Sequence, residues 1–165
     1  MGSVPKSATG LTISATEPVT AAAKVTNDGD GDQADFALVN ASVPMNVSAI
    51  AVPDHATAQV SVTNTSDDDR TATLTSYNGD GDIVEQSDLT IRAGASTTIE
   101  LADINDGDVA AVSLADPDQS MVWNIRVSQK DVSDAKLAGV SIIGATDLKE
   151  AREQVWSNQN MTIVR

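Results

Sequence analysis

Apolar and polar residues alternate with a period of two through the middle of the chain, a pattern that predicts β-strands with one buried face. The clearest of these strands covers residues 121–128 and places Met121, Trp123, Ile125 and Val127 on one face. The same alternation predicts strands at 58–64, 71–77, 88–92, 97–101 and 109–114. Polar turns separate them, such as the Asn-Gly-Asp-Gly segment at 78–81, whose residues tolerate the positive φ of a hairpin turn. Strands spaced about 8–12 residues apart favour an all-β fold, an antiparallel β-sandwich, over a parallel α/β sheet.

One segment near the C-terminus departs from this alternation. Within residues 147–156, Leu148, Ala151 and Val155 recur at the spacing of one helical stripe, and Trp156 lies beside them. We therefore expect one short helix there, followed by a closing strand at 161–164.

Two stretches about 100 residues apart share a similar order of elements. Each reads as a strand, an acidic-Pro turn (Glu17-Pro18 in one, Asp116-Pro117 in the other), a longer strand, a polar loop and a third strand. The likeness reflects either a true duplication or a coincidence of strand patterns. Under duplication, residues 1–41 are the C-terminal strands of a preceding sandwich repeat that packs on the next unit. Residues 42–55 are then a junction, and residues 56–165 are a nearly complete β-sandwich domain.

The charge balance narrows the classes of partner. The 165 residues include 10 Lys and Arg against 24 Asp and Glu, for a formal net charge of −14. A nucleic-acid binder depends on basic side chains that neutralise phosphates, so this class is excluded, and docking on anionic membranes is disfavoured. There is no Cys, which removes disulfides, thiolate zinc sites and cysteine nucleophiles. No apolar run approaches the roughly 18 residues of a membrane-spanning helix, so we expect no direct membrane insertion.

The best metal-binding candidate is an acidic, glycine-rich segment at 27–35. Its carboxylates are Asp28, Asp30, Asp32 and Asp35, and acidic residues at alternate positions can surround one Ca²⁺ with hard oxygen ligands. An EF-hand loop also needs Gly at its sixth place and Glu at its twelfth, where this chain has Gln33 and Val39. The preferred interpretation is a solvated turn, and calcium ordering of the loop is the alternative. We expect no other cofactor.

The sequence offers little support for catalysis. The single His is His55, next to Asp54, and no G-x-S-x-G motif accompanies the pair. Only four residues are aromatic, whereas glycosidase clefts rely on aromatic platforms. No glycine-rich loop opens a helix, so a phosphate or dinucleotide site has no basis. We therefore expect a protein that is not an enzyme.

The aromatic residues and glycosylation sequons give further expectations. Trp123 alternates in register with apolar residues and should lie in the core, while Trp156 should plug one end of the sandwich. Tyr77, beside a turn, should be partly exposed. Sequons begin at Asn40, Asn46, Asn64 and Asn160, and they matter only in a host that glycosylates them.

Residues 60–66, 71–74 and 91–101, together with the Asn-Gly-Asp-Gly turn, resemble bacterial immunoglobulin-like surface modules. The stretch from Glu17 to Ala23, with residues 35–37, resembles an uncharacterised family of actinobacterial secreted or envelope-anchored proteins. These resemblances imply that the antiparallel β-sandwich is immunoglobulin-like. They also imply a non-catalytic extracellular or cell-envelope module that acts as a spacer or binding scaffold, with an unknown protein or glycan partner. The alternative is a carbohydrate- or ligand-binding module ordered by Ca²⁺.

Overall fold

The computed structural model describes residues 10–28, 34–53, 57–104, 108–128 and 140–148. Within these residues the regular structure is eleven strands and one short 3₁₀ helix, Leu101–Asp103. The strands are β1 (Ala22–Asp28), β2 (Ala34–Asn40), β3 (Val47–Ala51), β4 (Thr57–Asn64), β5 (Arg70–Tyr77), β6 (Ile83–Ile91), β7 (Ser96–Glu100), β8 (Ala111–Ala115), β9 (Met121–Ser128), β10 (Val140–Gly144) and β11 (Thr146–Asp147).

Nine of these strands form two sheets that share one core. One sheet has the order β11-β3-β8-β5-β6 and the other the order β10-β9-β4-β7, and every pairing described is antiparallel. Strands β1 and β2 form a separate hairpin, and β2 lies against β10. The predicted all-β antiparallel sandwich is therefore confirmed.

The alternating residues form the core between the sheets. Val60, Val62 and Ile125 come from the four-stranded sheet, and Val112 and Leu114 face them from the five-stranded one; each is at most 1% exposed. Burial alternates residue by residue along β4 and β9, as a strand with one covered face requires. Trp123 is also in this core, as predicted.

Two strand pairings are the same as in a constant-type immunoglobulin domain. With β3 to β9 counted as seven strands, the second pairs with the fifth (β4 with β7) and the third with the sixth (β5 with β8). The outer strands are placed differently. The first strand, β3, pairs with the sixth rather than the second, and the seventh, β9, pairs with the second rather than the sixth.

The segment 42–55 is not simply a junction, and this corrects the sequence interpretation. Strand β3 lies in the middle of this segment and pairs with β8 along all five of its residues. Its inward side chains are Ser48 and Ile50, both buried. The sequence pattern did not predict this strand, because only one of its two buried residues is apolar and most of the other residues are small. Across the core, the Trp123 indole N–H donates a hydrogen bond of 2.7 Å to the Ser48 hydroxyl, so the segment is fastened to the opposite sheet.

Two further expectations change at the ends of the described chain. No strand lies between residues 10 and 21, where the repeat comparison predicted one; the first strand begins at Ala22. The helix predicted for 147–156 does not begin at Asp147, because Thr146–Asp147 pair with β3 as strand β11. Leu148, the last described residue, is helical, and residues 149–156 of the predicted helix, with Trp156, and the closing strand at 161–164 lie outside the described residues. That β1 and β2 belong to a preceding repeat stays a prediction.

Candidate functional site

Two of the four predicted calcium ligands lie in the described part of the chain and two do not. Asp28 ends β1 and Asp35 is in β2, while Asp30 and Asp32 lie outside the described residues, as do Asp54 and His55. The hairpin register sets Asp28 opposite Ala34 and Asn27 opposite Asp35, so the backbone brings positions 28 and 35 to the same end of the hairpin. Among the described residues, no group of three or more Asp, Glu, His or Cys could hold a metal ion. Calcium binding at this loop stays a prediction.

Three loops converge at one end of the sandwich, and we call residues 65–69, 92–95 and 116–120 together the loop end. They connect β4 to β5, β6 to β7 and β8 to β9. Strand pairing brings them together, because Asn64 at the end of β4 pairs with Met121 at the start of β9, and Arg70 at the start of β5 pairs with Ile91 at the end of β6.

Asn64 is the central connector of the loop end. Its side chain is fully buried, and the amide makes five hydrogen bonds. The Nδ2 group donates to the backbone carbonyls of Asp68, Ile91 and Arg92 at 2.8, 3.0 and 3.2 Å. The Oδ1 atom accepts from the backbone N–H and the hydroxyl of Ser66 at 3.0 and 2.8 Å. One amide therefore joins the first loop to the second.

Asp116 fixes the backbone of the third loop. It is fully buried, and its Oδ2 accepts hydrogen bonds of 2.6 Å from the backbone N–H groups of both Ser120 and Met121. The Asp116 N–H donates to the Asn46 carbonyl at 2.7 Å, which ties the loop to the residues before β3. The turn includes Gln119 at φ 49°, a left-handed conformation that this bonding holds in place.

Further bonds join the three loops to one another. The N–H and the hydroxyl of Thr65 both donate to the Ser120 carbonyl at 2.8 Å, and the Gly94 N–H donates to the Ser66 carbonyl at 3.2 Å. Asp69 accepts a bond of 3.0 Å from the Ala93 N–H. The backbone of the loop end is thus set by buried or bridging side chains.

The outer surface of the loop end is acidic. Asp67, Asp68 and Asp118 are exposed. The Arg70 guanidinium lies 3.2 Å from the Asp68 carboxylate and 3.6 Å from that of Asp118, joining two of the loops by ion pairs that are partly open to solvent. Pairs this exposed contribute little to stability, so the hydrogen bonds beneath them carry the geometry.

A cleft opens beside the loop end, next to the edge formed by β3 and β11. Its volume is about 320 Å³, and its lining residues are Val43, Pro44, Met45, Asn46, Val47, Gln119 and Asp147. Val43 is 72% exposed, which is high for a branched apolar side chain. Sequence reasoning missed this cleft because it lies in the segment interpreted as a junction. A run of three apolar residues around Pro44 was the available signal.

The structure also decides two expectations about surface chemistry. Tyr77 is half-buried, as predicted, with its hydroxyl 3.2 Å from that of Ser113. The sequon at Asn64 is closed in the folded protein, because its buried Nδ2 already serves three carbonyls, whereas Asn40 and Asn46 are exposed. No helix in the described part of the chain is long and apolar enough to cross a membrane.

Comparison with known proteins places the chain in a family but assigns no activity. No curated protein and no solved structure matches it. A family model described as a "Family of unknown function (DUF5719)" matches residues 1–102, a range that contains strands β1 to β7. Since that match covers more than half of the 165 residues, the chain belongs to this family of unknown function.

Proposed function

We propose that this chain is a non-catalytic structural or interaction module, a spacer or binding scaffold, of a secreted or envelope-anchored protein. The observation that carries the proposal is the use made of the buried polar side chains at the loop end. The Asn64 amide forms hydrogen bonds to backbone carbonyls of the first two loops, and the Asp116 carboxylate accepts bonds from backbone N–H groups of the third. Groups used in this way hold a surface in shape and are not poised to act on a substrate.

The loop end is the surface that a partner would contact. Loops on a sandwich vary without disturbing the sheets, so binding surfaces of such folds are commonly built there. Here the loops are fixed in advance, which lowers the entropy lost on binding. The exposed carboxylates of Asp67, Asp68 and Asp118 repel polyanions and suit a protein or glycan partner that offers basic groups or hydroxyl donors.

Placement outside the cell is part of the same proposal. It is supported by the resemblance of the β4 to β7 region to bacterial immunoglobulin-like surface modules and by the two central strand pairings common to the immunoglobulin fold. Such modules occur as spacers in surface proteins, where a stable sandwich is the function itself.

A glycan array separates spacer from binding scaffold. The labelled full chain should be compared with a variant carrying Asp67→Ser, Asp68→Ser and Asp118→Ser, and with a control carrying Asp80→Ser and Asp82→Ser. The control sites are exposed carboxylates in the β5–β6 turn at the opposite end. Binding lost only in the first variant would establish a loop-end glycan-binding module. Signal at background for all three supports the spacer, and turnover of any arrayed glycan would contradict the whole proposal.

The calcium-ordered alternative has its own test at the hairpin. If the folded state binds Ca²⁺, several millimolar CaCl₂ should raise the unfolding midpoint of the full chain, which scanning calorimetry measures. A variant with Asp30→Asn and Asp32→Asn should abolish that rise, while the Asp80 and Asp82 control should retain it. An unchanged midpoint in the natural chain contradicts calcium binding in this range.

A further inference from the structure

Three polar side chains lie in one row across the outer face of the four-stranded sheet. The strand register places Arg126 of β9 beside Gln59 of β4, and Gln59 beside Glu100 of β7. Their neighbours along each strand face the core, so these three residues point away from it; Arg126 and Gln59 are half-buried and Glu100 is exposed. Neighbouring strands are about 4.8 Å apart, so the row spans roughly 10 Å. We call these residues the Arg126 row.

Arg126 is a partly buried cation without a counter-ion. Within the described chain it forms no ion pair, and its Nε is buried without a hydrogen-bond partner. Arg70 also has an unpartnered Nε, but its guanidinium lies 3.2 and 3.6 Å from two carboxylates. Buried donors nearly always have a partner, and a chain with a net charge of −14 offers many carboxylates. The inner end of the Arg126 guanidinium is therefore held against the sheet, and its charge is available to an anion from outside the chain.

The other two residues of the row offer hydrogen-bond acceptors. The Gln59 Nε2 group donates to Glu100 Oε1 at 2.5 Å. Glu100 therefore binds the amide between them and does not neutralise Arg126, which is two strands away. The Gln59 carbonyl oxygen and the second Glu100 oxygen can still accept. Acceptors beside a guanidinium suit a ligand that carries hydroxyl donors as well as an acidic group.

We propose that the Arg126 row binds an acidic sugar, a single monosaccharide unit with one carboxylate, such as a uronic acid. The guanidinium bonds the sugar carboxylate through two parallel N–H···O contacts, and ring hydroxyls donate to Gln59 and Glu100. Glu100 repels an acidic peptide, and the net charge of −14 disfavours long acidic polymers. Arg126 is five residues, about 17 Å, along β9 from Met121 at the loop end. The site is therefore distinct from the surface proposed above.

NMR titration of the ¹⁵N-labelled full chain with sodium glucuronate, at constant ionic strength, tests the proposal. The reporter is the side-chain amide of Gln59, assigned by its loss in Gln59→Glu, and we expect it to shift until it saturates. Glucose lacks the carboxylate and acetate lacks the hydroxyls, so each should bind at least about tenfold more weakly. Arg126→Gln should abolish the response to glucuronate, and Glu100→Gln should weaken the affinity severalfold. Arg92→Gln is the matched control, since Arg92 is an exposed arginine of the loop end, and it should change nothing.

Each other outcome overturns the proposal. No response to glucuronate, or a response retained in Arg126→Gln, means that the row does not bind the sugar. Equal affinity for acetate, or an unchanged affinity in Glu100→Gln, means that the hydroxyls are not recognised. The triple Asp→Ser variant of the loop end should keep the full response, and its loss there would show that the two surfaces are one site. The Trp123 indole N–H resonance reports folding in every variant, because Trp123 is 3% exposed in the core.

Discussion

Replacing Asn64 by Ala should destabilise the protein far more than the same replacement in an exposed turn. The Asn64 amide is fully buried at the centre of the loop end and makes five hydrogen bonds there. Alanine removes all of them and leaves no polar atom to replace them. The matched control is Asn78→Ala in the β5–β6 turn, where the Asn78 Oδ1 accepts from the N–H groups of Asp80 and Asp82 at 3.1 and 2.9 Å.

The expected magnitude follows from what each partner does after the amide is gone. The bond to the Ile91 carbonyl is buried, so the loss of its donor costs about 1–3 kcal/mol. The bonds to Asp68, Arg92 and Ser66 are nearer the surface, where water replaces part of each, and together they add about 1–2 kcal/mol. The sum is about 2–5 kcal/mol, a large part of the roughly 5–15 kcal/mol that stabilises a domain. At Asn78 both freed N–H groups are exposed, and the cost stays below about 1 kcal/mol.

Urea unfolding of the full chain, followed by far-UV circular dichroism, measures both variants. We expect the midpoint of Asn64→Ala to fall well below that of Asn78→Ala, with the slope of free energy against urea unchanged in both. Equal midpoints in the two variants would refute the reasoning, because the buried network would then contribute no more than an exposed turn. A reduced slope in Asn64→Ala alone would instead show that the two-state comparison does not hold.

Three further predictions use the same assay. Asp116→Ala should lower the free energy of unfolding by about 3 kcal/mol, because two buried N–H groups lose their acceptor. Asp116→Asn keeps one oxygen for both donors and should cost less than about half of that. Equal losses in the two variants would contradict the assigned geometry. Ser48→Ala should cost about 1–3 kcal/mol of stability, because it leaves the Trp123 N–H buried and unpaired. A double-mutant cycle with Trp123→Phe should show coupling between the two positions. Additive losses would mean that the hydrogen bond across the sheets is absent. Deleting residues 1–41 should lower the midpoint, and deleting 1–56, which removes β3, should abolish cooperative unfolding; a truncation at 56 that unfolds cooperatively would contradict the placement of β3.

The sequence predicted the strands that carry large apolar side chains and missed the one that does not. The predictions at 58–64, 71–77 and 121–128 agree with β4, β5 and β9 to within one residue. Alternating burial of Val, Leu, Ile and Trp leaves a strong period-two signal in such segments. Strand β3 buries only Ser48 and Ile50, so its pattern resembles that of a loop. Its place in the sheet depends on the partner strand β8, which is distant in sequence.

The loop end could not be predicted because its connectors look like ordinary turn residues. Asn64 and Asp116 each stand at the end of a strand before a polar turn, as surface Asn and Asp commonly do. Their burial results from the meeting of three loops separated by more than twenty residues each. Local partners exist for both, since Ser66 and Asp68 follow Asn64 by two and four positions and Ser120 follows Asp116 by four. The same spacings occur in the exposed turn at Asn78, so they do not identify a buried amide or carboxylate.

The charge of −14 combines two kinds of carboxylate with different roles. Asp116 is buried and Asp69 caps the Ala93 N–H, so both are part of the loop framework. Asp67 and Asp118 are exposed above that framework. The net charge therefore overstates the number of carboxylates available to a partner.

Asp116 also connects the loop end to the cleft. Its N–H donates to the carbonyl of Asn46, which lines the cleft, and its carboxylate shapes the turn that carries Gln119 to the same cleft. Because one residue sets both, the loop end and the cleft form one continuous surface, and a substitution at Asp116 should alter the shape of the cleft as well as the loops.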